Sequence, residues 1–133
     1  MAGKFHINLT RIVEKTKARI DTVVQKITLD IFGNIIIMSP VKTGRFRANW
    51  TASMNGYGSG VYETVDPGGF ETSTKMAAVV MNAGSGKIVY LVNNLPYAYR
   101  LEYEGHSKQA PHGMVRVTVA EFQQRFNNVV SSL

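Results

Sequence analysis

A long amphipathic stripe that runs into a proline constrains this chain more than any other feature. From Asn8 to Met38 the apolar residues Leu9, Ile12, Val13, Ile20, Val23, Val24, Ile27, Ile31, Ile35 and Met38 recur mostly at steps of three and four. Thr16 stands where the stripe skips a turn. That is the period of an α-helix. Lys15, Lys17, Arg19, Asp21, Gln25 and Lys26 fall mostly off the stripe, as a solvated face requires. Asn8 is a candidate N-cap, and Pro40 forces Ser39 out of helical geometry. A helix of about 30 residues would measure about 45 Å. For a single small domain that is long. The helix must kink near Gly33, or another subunit must cover part of its apolar face.

The run Ile35-Ile36-Ile37-Met38 is apolar all round and should be buried on more than one side. Beyond it, Thr43-Gly44 reads as a turn and Ala48–Met54 as a first strand, with Arg45 and Arg47 at period two on one face before Trp50 in the core. Residues 55–70 hold Gly56, Gly58, Gly60, Gly68 and Gly69, the composition of a flexible loop, with room for a short strand at Val61–Val65. Thr72 or Ser73 could cap a short helix over Lys75–Asn82 closed by Gly84. Lys87–Asn93 has the strongest strand composition in the chain. Pro96 opens a helix through Tyr97–Glu104 with Gly105 at its C-cap, and residues 105–113 form a loop. Val115, Val119, Phe122, Phe126, Val129 and Leu133 then mark one C-terminal helix. The expected fold is α+β, with long N-terminal and C-terminal helices packed on a small antiparallel sheet, as one domain over residues 1–133.

Composition excludes several functions. With no cysteine there is no disulfide, no thiol nucleophile and no Cys-based zinc site, which fits a reducing compartment. No apolar run reaches membrane-spanning length, and Thr10, Arg11 and Glu14 interrupt the start before a signal segment could form. His106 and His112 lie six apart in a loop, not at the i, i+4 spacing of a helical metal site. Glu102 and Glu104 are two apart on a helix and so do not converge as an acid–base pair; one should be held internally and the other solvated. Gly-Tyr-Gly-Ser-Gly at 56–60 and Gly84-Ser85-Gly86 complete neither a nucleophile elbow nor a phosphate loop. The reading is of no enzyme, no cofactor and no metal site. Net charge is +6, yet the basic residues are spread through both halves without a block of five. Tyr97, Tyr99 and Tyr103 gather around Arg100, and Arg45 and Arg47 precede Trp50. Since Tyr and Arg dominate binding hot spots, Arg45, Arg47, Tyr97, Tyr99, Arg100 and Tyr103 are the candidate partner interface.

Three segments in order resemble one family. They are Ser39-Pro40-Val41-Lys42-Thr43-Gly44-Arg45-Phe46-Arg47-Ala48-Asn49-Trp50, then Asn93-Asn94-Leu95-Pro96-Tyr97-Ala98-Tyr99-Arg100-Leu101-Glu102, and Pro111-His112-Gly113-Met114-Val115. With the basic helix before them, they are similar to the neck and tail-completion proteins of long-tailed bacteriophages, the lambda minor tail protein Z-like group. Lys42 stands where that family carries an acid. The resemblance implies a structural virion protein at the head–tail junction, needed to join heads to tails and present in the host cytoplasm during assembly. It implies partners too: further copies in a cyclic homo-oligomer, other neck, connector or tail proteins, and genomic DNA close by in the channel. The alternative from the residues alone is a small basic nucleic-acid-binding protein, which would need its positive charge gathered on one face.

Overall fold

A computed structural model describes the backbone of residues 2–133, with side chains described from Arg11 onward. The amphipathic stripe forms helix α1 (Ala2–Met38), 37 residues long and uninterrupted through Gly33. It starts before Asn8, so Asn8 is not its cap; the side chains of Asn8 and Leu9 lie outside the described residues. Ser39 leaves the helix with its Oγ donating back to the Ile35 carbonyl at 2.7 Å.

The rest of the chain wraps the C-terminal half of α1. Strand β1 (Trp50–Ser53) pairs antiparallel with β2 (Tyr90–Asn93), with Trp50 opposite Asn93 and Ser53 opposite Tyr90. Helix α3 (Phe70–Val80) packs on both α1 and β1. Helices α4 (Ala98–Tyr103), α5 (Val115–Ala120) and α6 (Phe122–Ser131) follow. The protein is thus α+β, with a long N-terminal helix, a C-terminal helix and a small two-stranded antiparallel sheet. The sheet is shorter than its composition predicts: Ala48 and Asn49 bond back within the α2 turn, and the Lys87 N–H bonds the Gly84 carbonyl in a turn rather than a strand partner.

Two buried clusters lie on different sides of α1. Ile35 joins Phe46, Leu95, Leu101, Ala110 and Met114, while Ile36 joins Met76, Val80 and Ala83. Met38 packs against the first cluster, and Trp50 touches both. Residues 100° apart on a helix therefore serve separate cores. Ile37 points to neither and stays 54% exposed, so the all-apolar run is not buried throughout.

Four local expectations change. Residues 45–48 form a short helix, α2 (Arg45–Ala48), rather than strand, because Gly44 at φ 95° starts a helical turn. A side chain at Gly44 would also collide with the Pro67 backbone nitrogen, 2.5 Å from its Cβ position. Val61–Val65 is not a strand: Asn49 pins the chain at Tyr62 by bonds to its N–H and carbonyl, and Asn94 holds the Gly58 and Gly60 carbonyls. Helix α3 begins earlier than predicted. Its first turn is capped not by Thr72 or Ser73 but by Asp66, which accepts from the Thr72 N–H at 2.7 Å. Finally, the C-terminal helix breaks at Glu121 into α5 and α6, which let α6 lie along α1. There Arg125 pairs with Asp30 at 3.0 Å and with Glu121 at 2.8 Å.

Candidate partner interface

The three sequence segments singled out above are tied together by polar side chains. Trp50 Nε1 donates to Ser39 Oγ at 2.7 Å. Asn93 Nδ2 donates to the Phe46 carbonyl at 2.8 Å, and its Oδ1 accepts from the Leu95 N–H. Glu102, 7% exposed, accepts from the backbone N–H groups of Met114, Val115 and Arg116 and from Arg116 Nε. This carboxylate caps the first turn of α5, where unpaired N–H groups and the helix dipole favour an anion. Burial pushes its pKa up, but the hydrogen bonds from Val115, Arg116 and Met114 outweigh that, leaving it below the ordinary glutamate value. Gly113 permits the approach: at φ 87°, any Cβ there would fall 2.1 Å from a Glu102 oxygen. Glu104 is exposed, so one of the two carboxylates is internal and the other solvated.

The six candidate interface residues do not form one patch. Arg47 turns inward: its Nη atoms donate to the carbonyls of Pro67, Ile37 and Ser39 at 2.7–2.8 Å. It braces the helix end against the 66–69 turn, and burial lowers its pKa against the pull of Asp66. Arg45 bonds the Tyr62 carbonyl and pairs with Glu63 at 3.0 Å. Tyr97 leans on Phe46, with ring centroids 5.9 Å apart. Tyr99, Arg100 and Tyr103 are exposed on α4. The Tyr99 and Tyr103 rings pack at a tilt with centroids 4.9 Å apart, and the guanidinium over Tyr103 belongs to Arg116, not Arg100. A pattern of residue types gave the aromatic pair; the partner cation came from a helix the spacing could not place.

Among the described residues no three His, Asp or Glu side chains gather as a metal set, and no helix is long and apolar enough to cross a membrane. His106 and His112 are both exposed.

Outside those six residues, the Arg11–Ile20 stretch of α1 is bare, the part of the stripe for which a covering subunit is expected. Every described residue from Arg11 to Ile20 is exposed, and Ile12, Val13 and Ile20 are 61%, 59% and 46% accessible. Arg11, Lys15 and Arg19, at steps of four, line one face of it. The signal was present in the excess length of the stripe.

No family model, curated protein or solved structure matches this chain.

Proposed function

We propose that this protein is a structural subunit of a bacteriophage head–tail junction, a neck or tail-completion protein that closes into a ring with further copies and is needed to join heads to tails. The observation that carries the reading is the exposed Arg11–Ile20 stretch of α1. Apolar side chains on an exposed, folded helix favour a neighbour, and a ring subunit has one on each side. The resemblance of the 39–50, 93–102 and 111–115 segments supports it, as does their mutual packing into one body. A +6 charge suits a position beside a DNA channel. In this role the protein acts without catalysis, and its location is the virion junction.

The test is genetic. Phage with an early stop codon in this gene should yield DNA-filled heads and finished tails that stay unjoined. Purified protein added to the extract should restore infectivity. Normal virions made without it reject the role.

One observation favours a second reading. The Arg11, Lys15 and Arg19 face continues to Lys26, which gathers four basic residues along one exposed ridge. Such a ridge could bind a nucleic-acid backbone directly. Salt-dependent binding of short oligonucleotides by the free protein, lost when these residues are neutralised, would select that reading over the first.

A further inference from the structure

A groove of about 800 Å³ lies between the 40–46 segment and the 106–109 loop, over the flank of α4. That volume lies within the range of ligand sites, about 300–1,000 Å³. Its floor is apolar. Phe46 and Leu101, both anchored in the first core cluster, form the base, and the Tyr97 ring makes one side. Its rim is basic, with Lys42, His106 and Lys108 exposed around it and no carboxylate among the lining residues. Arg45 also lines the groove, its guanidinium paired with Glu63.

The walls are fixed in place. Gln109 makes two hydrogen bonds to the Val41 backbone: its Nε2 donates to the carbonyl at 3.0 Å and its Oε1 accepts from the N–H at 2.9 Å. An amide side chain thus links the two loops as a neighbouring strand would. Behind the first loop, the Gly44 turn sits against Pro67. A groove held at both edges needs little reorganisation to accept a ligand, which favours binding.

We infer that this groove is a docking site for a peptide segment of a partner protein, one that carries an aromatic or long aliphatic anchor flanked by carboxylates. The anchor would fill the apolar floor, and the carboxylates would meet Lys42 and Lys108. Charge complementarity selects an acidic occupant. The concave shape of the floor argues against nucleic acid, whose bases stack on open aromatic platforms. The exposed Tyr99–Tyr103 pair lies outside the groove. The inference is independent of the ring reading, which rests on α1.

The experiment uses a fluorescein-labelled Asp-Glu-Leu-Phe-Asp-Glu hexapeptide with the full chain, read by anisotropy and by amide chemical shifts. Binding should weaken as salt rises, and the shifts should centre on Val41, Lys42, Phe46, Tyr97 and Lys108. Lys42→Glu combined with Lys108→Glu should weaken binding at least tenfold with the thermal unfolding curve unmoved. Peptides with Ser in place of Leu and Phe, or Lys in place of the acids, should not bind. Four results would overturn the proposal, all read on the unaltered protein: no shifts at millimolar peptide; equal binding of the Ser peptide; stronger binding of an oligothymidylate at the same residues; or the same shifts appearing with protein concentration alone, which would make a second copy the occupant.

Discussion

Residues 11–20 and 21–38 of α1 carry the same apolar repeat in different surroundings. The second stretch is packed against: α3 covers one side, the Phe46–Met114 cluster another, and α5 and α6 a third, leaving Thr22, Lys26 and Ile37 exposed. In the first, every side chain is exposed. An amphipathic period therefore states that a face is to be covered, but not by what. In the second stretch the cover comes from residues 39–133; none of these covers the first. Burial of apolar area contributes about 25 cal/mol per Å², so the contrast is energetic as well as geometric.

That contrast can be broken at several points. The largest effect should come from Trp50→Ala, which removes the one ring touching both clusters and the donor to Ser39 Oγ, and should cost about 3–5 kcal/mol in urea unfolding. As the sole tryptophan, Trp50 also reports its own environment: free quenching by iodide in the native state would contradict the packing.

Next comes Glu102→Gln, expected to cost about 2–3 kcal/mol because buried N–H donors lose a charged acceptor. Its pH signature follows from the depressed pKa. A carboxylate whose folded pKa lies below the unfolded value of about 4.3 contributes its stability above that pH, and loses it as pH falls through the folded pKa. Acid titration of the native protein should thus show a steep loss of stability below about pH 4.3, and the Gln variant a shallower one. Asp66, also depressed, would retain part of the slope.

Gly33→Ala should act in the opposite direction. The helix passes straight through Gly33, and an added Cβ would meet only Met76 Cε at 3.9 Å, an ordinary contact. A gain of about 0.5–1 kcal/mol in stability is expected from the helical preference of alanine. A loss would mean that the glycine is needed for a bend.

The smallest effect on the fold belongs to the bare half. Ile12→Ser, Val13→Ser and Ile20→Ser together should change monomer stability by no more than about 0.5 kcal/mol, as exposed substitutions do. The same triple change should abolish self-association measured by sedimentation. A large fall in monomer stability would show that this half is covered after all.

Much of the fold was legible because its signals are local. The stripe, Pro40, the β-rich run before Asn93 and the glycine turns each act within a few residues. Several of the readings that changed did so through distant partners. Asn49 spends its side chain on Tyr62, which pins the 56–66 stretch as irregular backbone. Arginine is common at interfaces, which makes Arg47 a partner-facing candidate, whereas three carbonyls from two segments, the end of α1 and the 66–69 turn, hold it against the body. Glu102 could be placed indoors from helical spacing, but its role as cap of α5 depends on a loop of nine residues folding back over it. Of the six interface candidates, only Tyr99, Arg100 and Tyr103 share an exposed face, and the Tyr97 ring belongs to the groove wall. The groove itself had no signature, since its walls, with Lys42 and Lys108, come from loops more than 60 residues apart that Gln109 ties to Val41.

An unbroken helix is also a lever. Val13 lies about 33 Å along the axis from Ile35, which is gripped in the core. A rotation of about 10° in the packing around Ile35 and Ile36 would swing the far end through about 6 Å, more than one helical turn of rise. Modest repacking near Trp50 or α5 thus becomes a large displacement at Ile12 and Val13, so whatever grips that end senses the state of a core it never touches.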